Sequence, residues 1–308
     1  MLKKTLSAPL RVYWDLVPED KDGLDRERAI SLAGELAVLK VFFVTLGLSG
    51  GARPDIAEVV SGLKKGGVRV TVSISGPDSN PGQAALAAAD AVDLRVDGPV
   101  KFSGLLAELS SGLPEKKPLS VSFVPVKGGA GELGNVIRLA LDAGIRSFNL
   151  PNPDIVHNPD RAGDFVLDAR ERALYKEVLK GLLGPLGKDV RLGVHDLFLH
   201  RELGLPSLGE RLEYAGCQAG DALAYIDGKG LLYPCASWPV PLGELKEYPF
   251  GDIWGRAERA ALRARIKGVP SACDGCTELA VCKGGCRGLA IVSGGEDAPD
   301  PGCPVRED

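Results

Sequence analysis

The residues best placed to do chemistry are seven cysteines: Cys217, Cys235, Cys273, Cys276, Cys282, Cys286 and Cys303. All of them lie from position 217 onward in a chain of 308 residues. The dense stretch CDGCTELAVCKGGC reads C-x2-C-x5-C-x3-C. Ahead of it, Cys217 and Cys235 form a C-x12-G-x4-C pair around Gly230, and Cys303 follows after a gap of sixteen residues. Thiolates joined by such short, glycine-rich connections converge on one point only around a metal or a cluster. Soft sulfur ligands select iron–sulfur clusters, zinc or copper(I). An odd number of cysteines fits disulfide pairing poorly, and clustered cysteines in a reducing compartment usually ligate metal.

The rest of the composition is that of an ordinary globular chain, 44% hydrophobic and 25% charged. A formal charge of -4 gives no electrostatic case for nucleic-acid binding. No apolar run reaches the length of a membrane span. The opening MLKKTLSAPLRVYW has two lysines but no apolar core of the kind a signal peptide needs, so a cytoplasmic location is expected. The length suits one large domain and one small one.

The elements that must position the cysteines come first in the chain. Apolar, β-prone runs recur at 10–17, 41–48, 68–75, 92–97, 119–126, 146–151 and 190–198. Helical periodicity fills the intervals, as in Ile56, Val59, Val60 and Leu63, or Leu133, Val136, Ile137, Ala140 and Leu141. Strands alternating with helices predict parallel βα units. The expected fold is α/β: a partial (β/α) barrel of about six units, short of the eight of a closed one, followed by a small cysteine-rich domain. Several strands alternate rather than reading as continuous apolar runs. Val70, Val72 and Ile74 oppose Thr71, Ser73 and Ser75; Leu94 and Val96 oppose Arg95 and Asp97; Phe148 and Leu150 oppose Ser147 and Asn149. The apolar set suits outer helices, and the polar set suits either a wet, ligand-sized interior or the solvated face of edge strands.

From Leu203 onward the chain resembles a SPASM domain, the auxiliary-cluster domain of many radical SAM enzymes that modify peptides and proteins. Every cysteine falls on the family pattern, and so do the flanks YIDGKGLLYPC (225–235), LGELKEYPFGDIW (242–254), CKGGCRG (282–288) and DPGC (300–303). The resemblance implies two 4Fe–4S clusters with interleaved ligation. Cys273, Cys276, Cys282 and Cys303 would hold the second cluster; Cys217, Cys235 and Cys286 would hold the first. Some relatives supply an eighth cysteine. Here the oxygen donors Ser207, Glu210, Glu213 and Tyr214 are the alternatives, or an open iron. Zinc held by four thiolates is the competing structural reading. The implied domains are 1–205, a degenerate radical SAM-like partial barrel, and 206–308, the cluster domain.

The front departs from the family. A radical SAM enzyme carries C-x3-C-x2-C just after its first strand, whereas here RVYWDLV is followed by Pro18, Glu19, Asp20, Lys21, Asp22 and Gly23. No cysteine precedes Cys217, so SAM (S-adenosylmethionine) cannot be cleaved reductively at that position. LGLSGGARPDIAEVV (46–60) is similar to the family's strand-2 segment. Gly50 and Gly51 match its glycine pair, while Ala52 and Arg53 replace the Glu-Pro that would cradle the SAM amino group. The whole chain is similar to SPASM-only accessory proteins of GeoRSP-type systems. That implies a radical SAM/SPASM enzyme as partner and a peptide or protein as shared substrate, with no catalytic residue of its own assigned and SAM not expected as a cofactor.

Three histidines remain: His157, His195 and His200. His195-Asp196, at a predicted strand end, suits acid–base work or a satisfied structural histidine. KGGAGELG (127–134) suits an anion seat at a helix start or a plain loop. Trp14, Trp238 and Trp254 suit core positions or cluster shielding.

Overall fold

Strand and helix alternate seven times before the first cysteine, in a computed structural model that describes residues 6–48, 51, 53–76, 79, 81–109, 117–205 and 216–306. The units run β1 (Arg11–Leu16), α1 (Arg26–Val38), β2 (Phe43–Leu48), α2 (Ile56–Lys65), β3 (Arg69–Ile74), α3 (Gly82–Ala88) and β4 (Ala91–Val96). They continue as α4 (Pro99–Leu109), β5 (Leu119–Phe123), α5 (Ala130–Asp142), β6 (Ser147–Leu150), α6 (Ala169–Leu183), β7 (Arg191–Val194) and α7 (Leu197–Glu202). Each strand from β1 to β7 pairs in parallel with its sequence neighbour.

The alternation in sequence becomes two faces. Val12, Trp14, Leu16, Val44, Leu46, Val70, Val72, Val92 and Leu94 are buried in one continuous core with Ile56, Val59, Val60 and Leu63 of α2. Each aliphatic side chain so placed contributes about 1.5–3 kcal/mol. The opposite, polar face of strands β1 to β7 lines a single cavity. A sheet whose outer strands both border one cavity on the same face is curved around it, so the open-barrel expectation holds and the flat-edge alternative does not.

Three helix starts are fixed by aspartates. Asp25 accepts from Arg28 N at α1, Asp168 from Glu171 N at α6, and Asp196 from Leu199 N at α7. The last of these corrects the sequence reading of 190–198 as one strand. β7 stops at Val194, because Asp196 caps a helix instead of extending the ladder.

The cysteine-bearing part begins with a hairpin, β8 (Leu223–Ile226) and β9 (Leu231–Tyr233), followed by the short β10 (Gly243–Glu244). Asp227 Oδ1 accepts from Lys229 N and Leu231 N across the turn, where Gly230 takes the left-handed φ of +85°. β8 also pairs in parallel with β1. The result is one ten-stranded sheet in the order β10-β9-β8-β1-β2-β3-β4-β5-β6-β7. The expected boundary, Pro206–Glu210, lies outside the described residues, as do Gly50 and Ala52.

Two helices follow, α8 (Phe250–Trp254) and α9 (Ala257–Lys267), broken where Arg256 is extended at ψ 152°. Ala257, Ala260 and Ala261 are exposed, while Arg259, Leu262, Arg263 and Ile266 are buried. Two short helices complete the chain, α10 (Leu279–Cys282) and α11 (Arg287–Gly294).

Candidate functional site

The curved sheet encloses a cavity of about 460 Å³, floored by a polar layer across neighbouring strands. Asp15, Gly47, Ser73, Asp93 and Ser120 stand in register across β1 to β5. Asp93 is buried and accepts from three hydroxyls, Ser73 (3.1 Å), Ser120 (2.5 Å) and Ser122 (2.8 Å). Burial nevertheless pushes its carboxyl above the usual range. Cys235 and Ala236 close one side of this cavity. Cys235, at the end of the β9 hairpin arm, therefore borders the barrel interior.

No disulfide links the seven cysteines. Their mutual fields fall into two sets. Burial first, then the neighbouring Cys217, pushes the Cys235 thiol up to about 12. Burial, then Asp300, Cys217 and Cys235, holds Cys286 well above the ordinary thiol value. Cys303 is raised by burial and then by Cys282, Asp300 and Cys276. Packing separates two pairs in the same way, while Cys286 packs apart, against Ile155, Ala162 and Leu289. Cys217 and Cys235 pack with Trp238, Leu262 and Ile266, while Cys282 and Cys303 pack with Leu197 and Phe198. Cys276 N donates to Cys273 O (3.2 Å), which folds the C-x2-C segment back on itself. Buried thiols whose ionisation is opposed this strongly need a cation to become thiolates, and a metal or cluster supplies it. The donor set therefore fits iron–sulfur ligation.

The cysteine loops have little regular structure, and buried arginines brace them. Arg263 Nη1 donates to the carbonyls of Cys217 and Ala219, both at 2.8 Å. Arg287 donates to the carbonyls of Ala298 and Glu296. Arg172 of α6 reaches Gly302 O (2.9 Å), beside Cys303, and pairs with Glu202. Periodicity cannot find these residues, because an arginine on a helix reads as solvent-facing. The glycines of CKGGC make room for a carboxylate. Gly284 and Gly285 take φ of +87° and +67°, and a Cβ on Gly285 would stand 2.3 Å from Asp300 Oδ2. That carboxylate accepts from Cys286 N at 2.6 Å. The possible fourth donors Ser207, Glu210, Glu213 and Tyr214 lie outside the described residues.

The front is built from other groups. Arg53 is buried, forks onto Asp55 through Nε and Nη2 (both 2.8 Å), and donates from Nη1 to Val17 O (2.8 Å). It thus ties the end of β1 to the start of α2. Leu24 is buried against the hairpin turn, where a Cβ on Gly230 would stand 2.5 Å from its Cδ2. At KGGAGELG, Gly128 N already donates to Glu171 (2.9 Å), so a protein carboxylate occupies the anion position. His195 lines the cavity. Trp14 and Trp254 are core residues, and Trp238 covers the Cys217–Cys235 side.

Comparison with known proteins agrees with this geometry. The SPASM family, an iron-sulfur cluster-binding domain, matches residues 217–277. The chain is 28% identical over 95 residues to an AdoMet-dependent heme synthase of Methanosarcina barkeri and 30% identical over 92 residues to that of Nitratidesulfovibrio vulgaris. These matches cover 31% and 30% of this chain but only 27% and 25% of those proteins. Among solved structures, Streptococcus suis SuiB bound to S-adenosylmethionine superposes with TM-score 0.68 at 14% identity, over 95% of this chain and 76% of that one. anSMEcpe with bound AdoMet superposes with TM-score 0.66 at 12% identity, over 95% of this chain and 94% of that one. The fold is therefore shared with SuiB and anSMEcpe, and the C-terminal part carries a segment matching the SPASM iron–sulfur cluster-binding domain. No helix among the described residues is long and apolar enough to cross a membrane.

Proposed function

We propose that this chain is an iron–sulfur accessory protein that carries two 4Fe–4S clusters, does not itself cleave SAM, and serves a radical SAM partner in peptide or protein modification. The carrying observation is the contrast between two thiol groups in the tail and a front with no thiol at all. Cys217, Cys235 and Cys286 hold the first cluster; Cys273, Cys276, Cys282 and Cys303 hold the second. The mutual fields of Cys217, Cys235 and Cys286, and of Cys276, Cys282 and Cys303, support that division.

When bound, such clusters supply one-electron transfer and, at an iron lacking a fourth thiolate, a ligand site. The protein's own part is structural. Trp238, Leu262 and Ile266 keep water from the first thiol group. Arg263 and Arg287 place positive charge among the cysteine loops, which favours the reduced state of an anionic cluster. Cys235 on the cavity wall brings the first cluster beside whatever the barrel holds. Arg53 fills the position from which the family's strand-2 segment would meet SAM, and the loop after β1 offers no thiol.

The test is an anaerobic assay of the reduced, cluster-loaded protein with SAM. The protein alone should yield no 5′-deoxyadenosine. With a radical SAM enzyme encoded beside it and that enzyme's peptide, product should depend on this chain. Turnover of SAM by the chain alone, or partner activity indifferent to it, overturns the proposal.

A further inference from the structure

A second group of ligating side chains stands at the mouth of the barrel, away from the cysteine loops. Asp15 comes from the end of β1, Asp154 and His157 from the loop after β6. One ligating atom from each lies within 4.8 Å of the other two. His157 Nδ1 is 2.8 Å from Asp154 Oδ2, and the Tyr225 hydroxyl is 2.6 Å from Asp15 Oδ2 and 3.2 Å from His157 Nδ1. The 2.8 Å between His157 and Asp154 is close to the edge of an octahedral shell, about 3.0 Å for a metal–ligand distance of about 2.1 Å.

Three further observations show a built site. First, Gly47 faces Asp15 across the ladder, and a Cβ there would stand 2.2 Å from Asp15 Oδ1. The strand has no side chain where the carboxylate must sit. Second, Asp15 and Asp154 border both the barrel cavity and a second cavity of about 410 Å³, which His157 also lines. Positions left open by the three ligands would therefore face space large enough for another molecule. Third, Arg95 lines both cavities, and its charge acts on Asp15 and Asp93 without a hydrogen bond to any other described residue. A guanidinium with its donors uncommitted beside the carboxylate site is placed to receive an anionic group.

We infer that Asp15, Asp154 and His157 form a site for one divalent cation of the Mn²⁺ or Fe²⁺ type, with open positions turned toward an oxyanion held by Arg95. Two carboxylates and one imidazole suit such metals, whereas thiolate sites select softer ones. Tyr225 positions the Asp15 carboxylate. The site stands whether or not the tail holds clusters.

The test is titration of the anaerobically purified full chain with Mn²⁺ alone, following the EPR signal of the free ion. Mn²⁺ has little affinity for thiolates, so the cysteines do not compete. One Mn²⁺ per chain should bind, and Asp15→Asn, Asp154→Asn and His157→Gln should each weaken binding at least tenfold. Iron and sulfide content should not change in these variants, which separates this result from the fate of the cluster reading. Should Asp15→Asn fail to fold, the half-exposed His157→Gln carries the test alone. An undiminished free-Mn²⁺ signal with the unaltered chain, or equal binding by His157→Gln, overturns the inference.

Discussion

The barrel and the cysteine tail are held together by different means. From β1 to β7, one continuous apolar core joins strands to helices. In the tail, apolar contacts around the cysteines shrink to small clusters such as Ala219, Cys235, Trp238, Leu262 and Ile266, or Leu197, Phe198 and Cys282. Buried arginines on backbone carbonyls replace regular hydrogen bonding there. The hairpin and α8 share the barrel's core, but the loops that carry the cysteines do not, so the proposed clusters would serve as their cross-links, in the way metals do in small metal-bound domains. The barrel needs none.

The largest expected effect breaks the comparison at that point. Stripping iron with a chelator should release the loops around 270–303, seen as at least about a hundredfold faster amide exchange, while β2 to β6 stay protected. Equal protection in both regions before and after would show that the tail folds without metal. Next comes Arg53→Ala, which leaves Asp55 as a buried, unpaired charge. It should lower unfolding free energy by about 3–5 kcal/mol, read in denaturant, with tail exchange unchanged. Arg263→Ala should act the other way round. Two carbonyls beside the first thiol group lose their donor, a loss of about 1–3 kcal/mol each if left unmet. The spectrum of the first cluster should change and that of the second should not. If both cluster signals shift together, the two thiol groups are one unit.

The smallest effect concerns the barrel floor. Asp93 ionises less readily when folded than unfolded, because burial outweighs its three hydroxyl donors. Folding is therefore unhindered by this group below about pH 3.8, its unfolded value. Stability is then lost as pH rises through the higher folded value. Asp93→Asn should remove that slope and, near neutrality, stay within about 1 kcal/mol of the unaltered chain or above it. A steeper slope in the variant would mean that Asp93 is stabilised as a carboxylate.

Much of the barrel was legible because its strands obey period two and its outer helices period 3.6: Val70, Val72 and Ile74 face α2 as their spacing requires. The cysteine spacing was legible because ligation constrains loop lengths. What the sequence hid are residues that break the polarity rule. Arg259 and Arg263 point inward because carbonyls near the cysteines await donors. The helix break at Arg256 has no proline to announce it. Of the histidines, His195-Asp196 draws notice as an adjacent pair, yet Asp196 caps a helix, and it is His157 that meets carboxylates far away in sequence. Such a meeting depends on sheet order, which no local pattern encodes.

The central claim is that the tail is a holder for two iron–sulfur clusters. Metal and acid-labile sulfide analysis of anaerobically purified full-length protein tests it directly. The account predicts about eight irons and about eight sulfides per chain. A chain that carries zinc and no sulfide contradicts it.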